Sequence, residues 1–203
     1  TDRYRPRLIG EILGNPRPRA ILAGLIAGPR PSAWLIRGPT GVGKTTAALA
    51  IANALSSPMD TIHAVGADVT ADWMRATWGT LELYPWVAGR WRVVVVDEAD
   101  RISRQAQVLM LGYLERIPRH AIVVMTSNLV AEAFEGRFLG RCKVLDFVPP
   151  TVEEIASRVK YVASREGIAL NGESREIAEG AGGDVRSAMQ ALELELMSRS
   201  MRV

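Results

Sequence analysis

The octapeptide Gly38-Pro39-Thr40-Gly41-Val42-Gly43-Lys44-Thr45 constrains this chain more than any other stretch. It follows the apolar run Ala33-Trp34-Leu35-Ile36 and opens a segment, 44–57, whose apolar residues recur at helical spacing. A strand, a glycine-rich turn and a helix in that order point successive backbone N–H groups at one centre. The helix aims its positive end at the same place. The spacing is that of G-x-x-x-x-G-K-[ST], a phosphate cradle. Lys44 then reaches the β- and γ-phosphates, the Thr45 hydroxyl takes one position on Mg²⁺, and Thr46 lies beside them. A plain glycine-rich turn is the competing reading. Only three of the 25 basic residues are lysine, which makes Lys44 inside the loop hard to assign to chance.

Short apolar runs alternate with longer helical patterns along 1–150. Strands are predicted over 32–38, 61–67, within 90–100, over 120–128 and over 142–147. Helices are predicted over 44–57, 70–83 and 104–117, the last ended by Pro118. Such alternation predicts parallel β-α-β units, and a run like Val93–Val96, apolar on both faces, suits a sheet covered by helices on each side. After Val148-Pro149-Pro150 the pattern is helical only. Thr151 with Glu154 makes a capping box, and Asp184 can cap the final helix. The reading is an α/β core over 1–150 followed by a small helical domain over 151–203.

A phosphate cradle needs a second acid for magnesium, and Asp97-Glu98 stands at the end of the valine run. Asp97 is the expected Mg²⁺ carboxylate, acting through water, and Glu98 the expected general base for the attacking water. A strand ending in solvated acids is the bland alternative, weakened by the cradle. His63 and His120 have no metal-ligand neighbours in sequence. Trp73, Trp78, Trp86 and Trp91 are read as packing residues.

These motifs together resemble the AAA+ ATPases, and among them the clamp-loader subunits that open sliding DNA clamps. The resemblance runs over nearly all 203 residues. The segment Asp2-Arg3-Tyr4-Arg5-Pro6 with Ile9–Asn15 resembles the N-terminal element that wraps adenine, which assigns Tyr4, Arg5 and Pro6 to the nucleotide; Asn15 stands where the family has Gln. Thr126-Ser127-Asn128 resembles sensor 1 and puts Asn128 near the γ-phosphate. Residues 140–147 resemble the Ser-Arg-Cys motif, with Gly140 in place of Ser, so Arg141 inherits the arginine finger that serves a neighbouring subunit; Arg137 is a rival. Residues 182–193 resemble sensor 2 and carry that role to Arg186. The resemblance implies ATP and Mg²⁺ as cofactors and a ring or spiral, often of five subunits. Its partners are a sliding clamp and primer–template DNA. It also implies a collar domain, which either lies beyond Val203 or is replaced by another mode of assembly. Another AAA+ DNA motor, such as a branch-migration helicase, and a non-hydrolysing structural subunit are the alternatives.

In related clamp loaders, phosphates are touched from the helices after the second and third strands, and the matching residues are Arg75, Arg101 and Arg104. A solvated face explains them equally well. The net charge of +3, with a pI near 9.3, proves no nucleic-acid binding, although arginine suits phosphate forks. No apolar run approaches the ~20 residues of a membrane span. The N-terminus lacks a signal-peptide pattern, and the single Cys142 suits a reducing compartment. The expected location is the cytoplasm, or the nucleoid or host cytoplasm for a phage protein.

Overall fold

The computed structural model describes residues 2–128, 134, 136–170 and 172–200. Among them, five strands form one sheet: β1 (Ser32–Arg37), β2 (Thr61–Val65), β3 (Arg92–Asp97), β4 (Ala121–Ser127) and β5 (Lys143–Asp146). Their order is β2-β3-β4-β1-β5, and every pairing is parallel. The central strands are apolar on both faces, as a covered parallel sheet requires; Val93 to Val96 and Ile122 to Met125 have no exposed surface.

Helices α1 (Pro16–Ala27) and α2 (Lys44–Leu55) pack on one face through Leu22, Ala47 and Ile51 against Ile36, Val93 and Val124. On the other face lie α3 (Ala71–Leu81), α4 (Arg104–Leu114) and α5 (Gly136–Leu139), which bury Met74, Met110 and Phe138 against Leu35, Val94 and Met125. Three more helices, α6 (Val152–Arg165), α7 (Glu173–Gly180) and α8 (Val185–Ser200), enclose an apolar cluster of their own around Ile155, Val159, Ala178 and Leu192. Thr151 and Glu154 form the capping box that starts α6. Asp184 Oδ1 accepts the N–H groups of Arg186 and Ser187 at the start of α8. Among the described residues, no helix is long and apolar enough to cross a membrane.

β1 lies between β4 and β5, while its own chain continuation crosses to β2 at the far edge. Loops after β1 and β3 therefore diverge around the end of β4 and leave a crevice there, the usual ligand position in open α/β sheets.

Several details differ from the sequence reading, among them element ends such as that of α2, which stops at Leu55 and not at 57. Helix α1 was not anticipated: Pro16 and Pro18 sit in its first turn, where missing N–H donors cost nothing. The second strand stops at Val65 and not at 67, because Gly66 lies so close to the Glu98 carbonyl that a Cβ there would come within 2.2 Å of it. Helix α4 ends at Leu114, short of 117, with Glu115 as its cap residue. Trp86 is 71% exposed and packs no core, whereas Trp78 is buried. The loop that carries Trp86 is held instead by its backbone. Asp60 accepts the Trp86 N–H at 2.9 Å, and Arg92 donates to the Leu83 and Tyr84 carbonyls. Asp60 and Arg92 are themselves a buried ion pair at 3.4 Å.

Candidate nucleotide-binding and hydrolysis site

At the end of β1 the backbone enters the glycine loop, with positive φ at Gly41 and Gly43, and Lys44 begins α2. The loop lines a cleft of about 390 Å³. Thr40 to Thr46 form its floor, Asp97, Glu98 and Thr126 to Asn128 one wall, Tyr4 to Pro6 with Ile12 and Leu13 another, and Arg158, Val185, Arg186, Met189 and Gln190 its roof. Of the expected cradle residues, Gly38 and Pro39 do not line the cleft. Gly41 cannot be replaced without strain: its φ is +75°, and a Cβ would fall 1.8 Å from Asp184 Oδ1. The same contact anchors the roof, since the Val185 N–H donates to the Gly41 carbonyl at 3.2 Å.

Lys44 is buried, and its Nζ donates to the Pro39 carbonyl at 2.6 Å and to Asn128 Oδ1 at 3.1 Å. Burial pulls its pKa below the usual lysine value, against the nearby Asp97 and Asp100 carboxylates, which act to raise it. An arriving polyphosphate would favour the charged form further. The Thr45 hydroxyl donates to Asp97 at 2.9 Å, so the two residues assigned to magnesium are in direct contact. A hydroxyl and a carboxylate are hard oxygen ligands of the kind magnesium takes. Among the described residues, no group of three or more His, Cys, Asp or Glu could hold a metal. A magnesium ion here would draw its remaining ligands from phosphate and water.

Sequence reasoning missed the residues that hold this wall together. Thr126, buried on β4, donates to Asp97 Oδ1 and accepts the Glu98 N–H at 3.3 Å. Asp100 Oδ1 accepts the Asn128 N–H at 3.0 Å and so fixes Asn128 against the turn that follows β3. Arg158 on α6 donates to the Tyr4 carbonyl at 2.7 Å, and Tyr4 Oη donates to Glu166. These two bonds tie the N-terminal segment to α6. Asn15, the departure from the family's Gln, is a left-handed residue at φ 54° whose carboxamide exchanges bonds of 3.0 and 2.8 Å with both backbone groups of Val148. Only asparagine's tolerance of the left-handed region hinted at that conformation, and nothing local marked its bonds to Val148.

A family model described as "ATPase family associated with various cellular activities (AAA)" matches residues 34–150, more than half of the chain. The chain belongs to the AAA family. Among curated proteins it is similar to the replication factor C small subunit of Haloarcula marismortui, 25% identical over 97% of this chain and 62% of that protein. It is likewise similar to the replication factor C small subunit of Thermofilum pendens, 28% identical over 95% of this chain and 61% of that protein. The chain thus spans about three fifths of the length of these relatives. Its fold is similar to that of a solved RuvB variant from Thermotoga maritima, with TM-score 0.77 and 21% identity over 93% of this chain and 64% of that one.

Other residues singled out in the sequence of this AAA chain do not line the cleft. Arg141 follows α5, is 45% exposed and pairs with Glu115 at the end of α4. It stands two residues before Lys143, which pairs with Trp34 in β1, so four strand residues separate that level from Gly38. At ~3.3 Å per residue, the strand level that Arg141 precedes is roughly 13 Å from Gly38. Arg137 is exposed on α5. Arg75 on α3 pairs with Asp72 at 2.6 Å, and Arg101, in a 3₁₀ turn and not a helix, pairs with Glu98 at 3.2 Å. Arg104 opens α4 and is exposed. Cys142 is partly buried, and burial pushes its thiol up to about 12, so it is an inert packing residue. His63 is exposed, and His120 Nε2 contacts the Leu81 and Leu83 carbonyls.

Proposed function

We propose that this chain is the ATP-hydrolysing unit of a DNA sliding-clamp loader. It works in a ring or spiral, pentameric in the full-length protein, that uses ATP and Mg²⁺ to open a clamp and place it on primer–template DNA. The observation that carries the reading is the alignment of 95–97% of this chain with proteins named replication factor C small subunit. A cleft holding a complete set of phosphate-handling groups agrees with it. Residues 1–150 serve as the nucleotide-binding core and 151–203 as a lid whose last helix reaches over the phosphates. A second reading, a branch-migration motor, draws on the fold likeness to RuvB.

In this reading the backbone N–H groups of the cradle orient the polyphosphate. Lys44 turns from Pro39 and Asn128 to the β- and γ-oxygens. Thr45 and Asp97 would hold magnesium, which when bound neutralises phosphate charge and polarises the transferred group. Glu98, turning from Arg101 toward the cleft, accepts a proton from the attacking water, and Asn128, braced by Asp100, positions that water. Arg186 meets the γ-phosphate of its own subunit, and Arg141 that of a neighbour. A finger supplied in trans is worth ~10³–10⁵ in rate, so the isolated chain hydrolyses ATP slowly. DNA contact by Arg75, Arg101 and Arg104 concerns phosphates and not base edges.

The test uses the full-length assembly with its clamp and primed DNA. ATP turnover should rise when both are added. Lys44→Ala should abolish ATP binding, while Glu98→Gln should bind ATP and turn it over poorly. Unchanged ATP affinity in Lys44→Ala sinks the nucleotide assignment. Stimulation by a four-way DNA junction, with none by clamp and primed DNA, transfers the reading to the branch-migration motor.

A further inference from the structure

We infer that Glu115 is a positioning residue for Arg141, holding the guanidinium by one edge so that its other edge faces a neighbouring subunit's nucleotide. The inference rests on the reading of Arg141 as a finger acting in trans. Glu115 Oε1 accepts from Arg141 Nε at 2.8 Å and also from Nη2. One carboxylate oxygen therefore occupies the Nε–Nη2 side of the guanidinium. The Nη1–Nη2 end, the edge that grips phosphate oxygens in a fork, is left unused by this pair.

Both backbones are fixed. The Glu115 N–H donates to the Leu111 carbonyl at 3.1 Å, and α4 is seated on the sheet through Ala106, Met110 and Leu114. The Arg141 N–H donates to the Phe138 carbonyl at 3.0 Å, and Phe138 is fully buried with its ring 5.5 Å from that of Phe134. The guanidinium also meets the last turn of α4, where a helix carries partial negative charge. With side chains 45% and 48% exposed, the pair adds little to folding. Its effect lies in restricting a long side chain that must otherwise be ordered at each encounter with a phosphate.

This arrangement also separates the two candidate fingers: Arg141 is braced by an acid on a neighbouring helix, and Arg137 lies on the short helix before it.

The experiment measures ATP turnover by the full-length assembly with clamp and primed DNA. Glu115→Gln should lower kcat roughly two- to fivefold, with KM for ATP and the melting temperature unchanged, because the subunit's own cleft is untouched. Glu115→Asp, which keeps the charge, should recover part of the loss. In an Arg141→Ala background, Glu115→Gln should have no further effect. Millimolar guanidinium should partly restore turnover to Arg141→Ala only while Glu115 is intact. Unchanged or raised kcat in Glu115→Gln, or an equal loss in the Arg141→Ala background, overturns the inference while the finger survives. Unchanged kcat in Arg141→Ala overturns the finger itself, and the inference with it.

Discussion

Gly41 shows how much one hydrogen atom in place of a methyl group can decide. Its φ of +75° is costly for any L side chain, by about 1–2 kcal/mol. Its missing Cβ also makes room for Asp184, which caps α8. Gly41→Ala should therefore weaken ATP binding by at least about tenfold and loosen α8 from the cradle. Titration with a fluorescent ATP analogue reads the first effect, and proteolysis between α7 and α8 the second. Gly10→Ala, with nothing within 4 Å of its Cβ, is the control. Affinity equal to wild type in Gly41→Ala contradicts the account. That Lys44, Thr45 and Asp97 would line one cleft could be read from sequence because strand–loop–helix spacing is local chemistry. Thr126 and Asp100 could not. Each meets its partner only because β3 and β4 pair in one register, with Val96 opposite Met125, and nothing local marks a threonine or aspartate for that task.

Elements were legible where periodicity was uninterrupted and obscure where backbone contacts replaced side-chain pattern. The valine strands and α2 followed from their apolar residues alone, whereas α1 was hidden by prolines that break a helix anywhere but in its first turn. The exposed Trp86 loop is the other case, since its order comes from the Asp60–Arg92 pair beneath it. Burial acts to raise the Asp60 pKa, but the Ser57 hydroxyl, the Trp86 and Val87 N–H groups and Arg92 together hold it below the usual carboxylate value. Asp60→Asn leaves the buried Arg92 guanidinium without its counterion. Removing one partner of a buried pair costs about 3–5 kcal/mol, and a loss of that order is expected, as a lower denaturant midpoint with unchanged slope. Trp86 fluorescence should lose its polarisation at the same time. A native-like midpoint would mean that the loop is ordered by something other than this pair.

At the scale of the whole molecule, the cleft and Arg141 are separated by the length of a strand, and the predictions concern what happens between molecules. Arg141→Ala should change the isolated chain's slow turnover little and the assembly's by orders of magnitude. Mixing Arg141→Ala subunits with Lys44→Ala subunits should recover activity where an intact cleft meets an intact arginine. A mixture that stays inactive although it assembles places the finger elsewhere, with Arg137 next in line. Replacing Arg75, Arg101 and Arg104 together should weaken DNA binding regardless of sequence and flatten its salt dependence, by a log–log slope of about 0.9 for each lost phosphate contact. An unchanged slope returns these arginines to a solvated face, where Arg75 is already paired with Asp72.

The distance between cradle and arginine also sets an arithmetic for any assembly. If Arg141 completes a neighbour's cleft, as proposed, a donor edge and an acceptor edge on opposite ends of one sheet make the contacts heterologous, with a direction, so two copies cannot satisfy each other face to face. Such units form either a closed circle, in which every cleft is completed, or an open chain. In an open chain, complete sites number one fewer than the subunits, because the cleft at one end and the arginine at the other go unmatched. An open arc leaves a gap, and in an arc of identical chains the subunits bordering it would be chemically unequal to the rest.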